Sequence, residues 1–330
     1  MRGRKHHHAA WMTLAALLTS AMAGQAQDIT LQPLWTTGGT GRGTGEFGTP
    51  ESVAIDSMGH VVVTDKGRMM LHVYDAKNGR PLFDVGELGS GPGQFDRPNG
   101  IAVDARGRIL VVEQRNSRVQ VLDREYKPAG AFGHGGGGDG AFTKAMGIAL
   151  DPAGRIYITD EARRDVQVFD AGGAYLWSFD RKPRLTKVES IEIDARRQRI
   201  FVCDEGRSRV NVYDLQGRFQ DSFGKKGTGP GEFGNDPNAI RVDGDGRLYV
   251  NDQGNERVNV YGAGLEFLAG IRNADGGFDS ADGVALSEPH NLLVVCDQGH
   301  NRVVAFDLRA IQKELAGRET PAPAAAPRSP

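Results

Sequence analysis

Six copies of one pattern, recurring every mid-forties of residues, constrain this chain more than any other feature of its sequence. The first copy reads Glu51-Ser-Val-Ala-Ile-Asp56, then His60-Val-Val-Val-Thr-Asp65, then Leu71-His-Val-Tyr-Asp75. The second reads Asn99-Gly-Ile-Ala-Val-Asp104, Arg108-Ile-Leu-Val-Val-Glu113 and Arg118-Val-Gln-Val-Leu-Asp123. The other four start at Met146, Glu189, Asn238 and Asp282. The copies close at Asp75, Asp123, Asp170, Asp214, Gly262 and Asp307, so they are spaced by 48, 47, 44, 48 and 45 residues.

Each copy holds several short strands. Ile101-Ala-Val103 is almost wholly apolar, as in a strand packed on both faces. Asp104-Ala-Arg-Gly107 supplies a hairpin turn. Arg118-Val-Gln-Val-Leu122 alternates, so one face is buried. A fourth strand follows, such as Ala129-Gly-Ala-Phe132, and then a glycine-rich connector such as Gly89-Ser-Gly-Pro-Gly-Gln-Phe95. Glycine fills 46 of 330 positions, which supports many tight turns. Repeats of this length and content stack as propeller blades. The sequence therefore predicts an all-β, six-bladed β-propeller over residues 27–316. The last copy ends after its third strand, and Leu31–Thr37 looks like a spare fourth strand. That N-terminal strand is expected to complete blade six and close the ring. A short helix is expected from Arg309 to Leu315.

The connector Gly-x-Gly-Pro-Gly-x-Phe, the following Gly-Ile-Ala-Val-Asp and the Arg-Val-x-Val strand resemble the NHL repeat, over about residues 30 to 308. The resemblance implies the TolB-like six-bladed propeller and leaves the activity open, because one fold hosts many.

The ends carry separate signals. Arg2, Arg4 and Lys5 precede an apolar run from Ala9 to Leu18 and a small-residue cleavage site, so residues 1–26 read as a Sec-type signal peptide. This predicts a periplasmic or secreted protein. The run is too short to span a bilayer stably. Residues 317–330, rich in Pro and Ala, read as a disordered tail. Formal net charge is −2, which leaves no basic field for nucleic acid. Cys203 and Cys296 fall at equivalent points of non-adjacent blades and are expected as buried thiols. A monomer is expected.

Antiparallel strands put the start of each first strand, the loop between strands two and three, and the connectors on one face. The first strands start with Glu51, Asn99, Met146, Glu189, Asn238 and Asp282. Five of the six offer oxygen, as a hard cation such as calcium requires. A water-filled channel lined with polar side chains accounts for the same pattern. The strand two–three loops add Lys66, Arg68, Arg115, Glu205 and Arg207, a rim able to hold an anionic substrate.

A fainter likeness links Val63-Thr-Asp-Lys-Gly67, Val188-Glu-Ser-Ile-Glu-Ile-Asp194 and Leu248-Tyr-Val-Asn-Asp-Gln-Gly-Asn255 to β-propeller phytases. It implies that Lys66 binds phosphate and that Glu51, Glu189, Glu205 and Asp282 bind calcium. Asn99 and Asn238 are further candidate calcium ligands by their place in the ring of strand starts, although Asn238 stands where the phytases have Glu. The Asn/Glu/Asp mouth is also similar to single-calcium lactonases of the gluconolactonase type. Two classes of function follow. One is a calcium-dependent hydrolase, phytase-like first and lactonase-like second. The other is a non-catalytic propeller that binds a periplasmic protein or glycan.

Overall fold

A computed structural model describes residues 28–180 and 184–318. The expected signal peptide and nearly all of the expected tail lie outside the described residues. Six sheets make the blades, and each is built on four antiparallel strands in up-and-down order. Their innermost strands are Pro50–Ile55, Pro98–Val103, Ala145–Leu150, Val188–Asp194, Pro237–Val242 and Ala281–Ser287. Each inner strand packs against the inner strand of both neighbouring blades, and the sixth packs against the first. This closes the predicted six-bladed ring around a central channel.

The inner strands crowd each other. A Cβ on Gly100 would stand 2.4 Å from the Met146 carbonyl oxygen, and one on Gly147 would stand 2.5 Å from that of Glu189. Glycine is required there because the next strand's backbone occupies the space. Two buried threonines tie neighbouring strands together. Thr64 Oγ1 donates to the Asn99 carbonyl at 2.8 Å, and Thr159 Oγ1 donates to the Glu189 carbonyl at 2.6 Å.

The blades' recurrent acids are buried and hydrogen-bonded. Asp65 accepts backbone N–H groups from Gly48, Thr49, Gly67 and Arg68, all within 2.9 Å. These bonds hold its carboxyl down at about 2, against the opposing pull of burial, with His72 the strongest contributor. Glu113 pairs with Arg118, whose guanidinium also donates to the connector carbonyls of Ser90, Gly91 and Gln94. The recurring acid and arginine therefore pin each connector to its own blade. The connector aromatics Phe47, Phe95, Phe142 and Phe233 are at most 1% exposed and sit among side chains of adjoining blades.

The chain ends meet. Trp35–Gly38 pairs antiparallel with Arg302–Asp307 and completes blade six, with Trp35 opposite Ala305. The N-terminal segment does more than expected. Ile29–Leu31 adds to blade five as a parallel fifth strand against Ile271–Asn273, and Asp28 pairs with Arg272 at 2.6 Å. The C-terminal helix runs Leu308–Ala316, is capped by the Asp307 carboxylate, and buries Leu308, Ile311 and Leu315. Cys203 and Cys296 are free and buried, as expected.

The connector aromatics offer a direct check on this packing. Phe233→Ala removes a fully buried ring between two blades and is expected to cost about 3–5 kcal/mol. Urea denaturation should show this as a lower midpoint with an unchanged slope.

Candidate functional site at the channel mouth

Each inner strand begins with a break in register. The breaks fall between Pro50 and Val53, Pro98 and Ile101, Ala145 and Ile148, Val188 and Ile191, Pro237 and Ile240, and Ala281 and Gly283. A bulge leaves residues unpaired and re-aims their side chains. The residues inside these breaks include Glu51, Asn99, Met146, Glu189, Asn238 and Asp282, the ring expected from the sequence. All but Met146 line one cavity of about 210 Å³ at the channel mouth. Met146 is buried instead, with Gln114 donating to its sulfur at 2.8 Å.

The cavity wall divides into two arcs. On the first, Asn99 Nδ2 donates to Glu51 at 2.8 Å, and Lys66 pairs with the same carboxylate. Gln298 Nε2 donates to Glu51 at 3.0 Å and also to Asp282. Asn238 Nδ2 donates to the other Asp282 oxygen at 2.6 Å. One amide thus bridges two carboxylates, while Asn238 Oδ1 is buried without a partner. On the second arc Lys187 pairs with Glu205, and Glu189 stands nearby.

Negative charge exceeds positive in this cavity. Glu51, Glu189, Glu205, Asp236 and Asp282 face Lys66, Lys187 and Arg241. Burial and then the Glu51 charge push the Asp282 carboxyl up to about 7. Burial pushes Glu205 up to about 7, although Lys187 pulls the other way. Glu189 is raised well above the usual carboxylate range by burial and by the Glu205 and Glu51 charges. The two arcs therefore repel one another across the channel. Burial alone would lower the Lys187 ammonium, but Glu205, Glu189 and Asp236 outweigh it and raise it.

The other expected cations stand elsewhere. Arg68 donates to the connector carbonyls of Arg42, Gly43 and Glu46. Arg115 is 61% exposed beside Asp96, and Arg207 donates to the Arg184 carbonyl. None of the three lines the cavity, because the strand two–three loops turn these side chains over the connectors rather than inward. Lys66 and Glu205, from equivalent loops, do reach it.

Hard oxygen donors such as those of the two arcs suit calcium. No three Asp, Glu, His or Cys side chains gather at one point among the described residues. A cation here would have two carboxylates at most, those of Glu51 and Asp282, with amide oxygens and water making up the rest. The orphaned Asn238 Oδ1 fits that role. The full expected set of Glu51, Asn99, Glu189, Glu205, Asn238 and Asp282 does not form one centre, since Lys187 engages Glu205 on the far arc.

Sequence reasoning missed Lys187, Asp236, Glu192 and Arg241. Glu192 and Arg241 had a visible signal. The fourth place of the inner-strand pattern is Ala54, Ala102, Ala149 and Ala285 in four blades and charged only in these two.

A six-bladed β-propeller domain model (DUF5128) matches residues 184–280, and the NHL repeat matches residues 47–74 and 95–122. No curated protein matches the sequence. Among solved structures, a gluconolactonase from Xanthomonas campestris is 15% identical with a TM-score of 0.61, covering 78% of this chain and 86% of its own. A chain of a nidogen/laminin complex is 18% identical with a TM-score of 0.58, covering 72% and 85%. A virginiamycin B lyase from Staphylococcus aureus is 11% identical with a TM-score of 0.53, covering 79% and 85%. Identities this low carry the fold and no activity. The chain is a six-bladed β-propeller that carries NHL repeats.

Proposed function

We propose that the channel mouth binds one calcium-class cation on the arc of Glu51, Asn99, Asn238 and Asp282, and that the site hydrolyses a small ester or lactone. The observation that carries this reading is the bridged carboxylate pair. Glu51 and Asp282 share one amide donor, and burial and then the Glu51 charge raise the Asp282 carboxyl. A bound cation would supply positive charge there and polarise a substrate oxygen. Glu205 lies on the facing arc and exchanges its proton near neutrality, as a general base or acid needs. Lys187 holds Glu205 in place, and Lys66 holds Glu51. The similarity in fold to a gluconolactonase is compatible with this chemistry. Phosphoester hydrolysis by several cations is not the reading favoured, because no three acids gather at one point among the described residues. Export, which we infer from residues 1–26, would place the protein where free calcium is plentiful enough for a weak site.

One observation favours a second reading. The belt Asn99–Glu51–Gln298–Asp282–Asn238 is closed by its own hydrogen bonds, as a binding propeller without turnover would have it. Calcium-dependent melting separates the two. A ligand that binds only the folded state stabilises it by about 2.7 kcal/mol when present at about a hundredfold over its Kd. We expect millimolar calcium to raise the Tm, Asp282→Asn to abolish the rise, and Glu189→Gln to retain it. No rise in the parent protein would sink the cation reading and leave the binding propeller.

The raised carboxyls also set a pH dependence. In an unfolded chain Asp282 and Glu205 titrate near about 4; in the fold they titrate at about 7. Between these values the native state holds more protons, so stability falls as pH rises and levels off above about 7. In metal-free buffer, Asp282→Asn should make that fall shallower and raise the Tm on the alkaline side. Scanning calorimetry showing equal slopes for parent and variant would rule out this charge cost at Asp282.

A further inference from the structure

The channel continues below the mouth. A second cavity of about 200 Å³ is walled by the inner strands further along, with Ala54, Ala102, Ala149 and Ala285 among its lining. Ile101, Ile148 and Arg241 line both cavities, so the two adjoin and Arg241 stands between them.

The repeat makes Arg241 conspicuous. Four blades place alanine at this point, so the fold asks for nothing larger. Blades four and five place Glu192 and Arg241 there, on adjacent strands. The two charges are 3.6 Å apart at their closest, beyond ordinary hydrogen-bond reach, and each side chain is 19% exposed. Arg241 donates one bond, from Nη1 to the Ile240 carbonyl at 2.7 Å. Among the described residues its Nε and Nη2 donate to nothing. Glu192 compensates it incompletely, because burial pushes that carboxyl up to about 7 even with Arg241 alongside. A guanidinium with free donors, on the floor of a solvent-filled cavity, is built to take a planar oxyanion through paired hydrogen bonds.

We propose that Arg241 is the anion-binding residue of the channel, receiving the carboxylate or phosphate group of a small ligand that enters from the mouth with its anionic end directed inward. This goes beyond the cation reading and does not depend on it. The cation arc lies at the rim, whereas Arg241 lies at the floor. A ligand bridging both would donate hydroxyl groups to Glu51 and Asp282 and present its charge to Arg241. The ligand class is thus a small acid rather than a cationic or uncharged molecule.

Isothermal titration calorimetry in metal-free buffer tests this with two probes, lactate and inorganic phosphate. We expect at least one to bind with a Kd of about 1 mM or tighter, and the better probe identifies the oxyanion. Arg241→Ala should weaken that binding about tenfold or more. Alanine is the repeat's own choice at this place, so the variant should fold. Glu192→Ala/Arg241→Ala, which restores the uniform ring, serves as a second folded variant and should bind as poorly. The titration is run without metal, so absence of a calcium effect in the melting experiment leaves this result untouched, which keeps failure of the cation site distinct from failure here. Binding of neither probe by the parent, or equal binding by Arg241→Ala, overturns the proposal.

Discussion

The register break at the head of every inner strand is the constraint on which the site depends. An unbroken ladder would alternate its side chains between the two neighbouring blades, and the channel would be lined by backbone and small residues. The break frees the residue after the strand's first position and turns it towards the axis. Six breaks at equivalent heights then deliver six side chains to one ring. The fold supplies the ring for nothing more than its own geometry; chemistry is chosen by what each blade places there. This chain chose three carboxylates, two amides and one thioether, and the thioether turned aside to Gln114.

The acids of the molecule divide into two populations, and their surroundings tell them apart. Asp65, Glu113 and Asp297 are buried but saturated with N–H groups, guanidinium or imidazole, so burial costs them little. The acids of the mouth are buried with too few partners. Glu189, Glu205 and Asp282 are all raised. A folded protein retains such a deficit where a ligand or a proton makes it good, and acids of this kind mark functional sites more often than structural ones.

Most of the fold could be read from the chain because it is written six times. A strand predicted once carries little weight, but Ile101-Ala-Val103 with five counterparts at a steady spacing leaves few architectures. The ring residues were legible for the same reason. The rim was not. Lys66, Arg68, Arg115 and Arg207 occupy similar loops, and only the packing of each connector decides which side chain turns inward. Arg68 is drawn outward by three connector carbonyls that Lys66 cannot reach. Glu192 and Arg241 were legible too, as breaks in a ring of alanines. An almost wholly apolar inner strand reads as packed on both faces, whereas its fourth place faces the channel. The parallel strand Ile29–Leu31 left no pattern, since three residues are too few to show a period.

The pairing of Trp35 with Ala305 makes the first strand of the ring and the last the same physical object as a clasp. Blades one to four are assembled from neighbours in sequence and can form as the chain lengthens. The fifth and sixth are complete only when residues 29–38 have reached them. Such distant pairing is slow to find. Both N-terminal strands lie at the outer edges of their blades, on the far side from the inner strands that carry Asn238 and Asp282. The clasp therefore acts on the mouth through the packing of whole blades, and the grip of the chain's own beginning sets how firmly the last two blades hold their place in the ring.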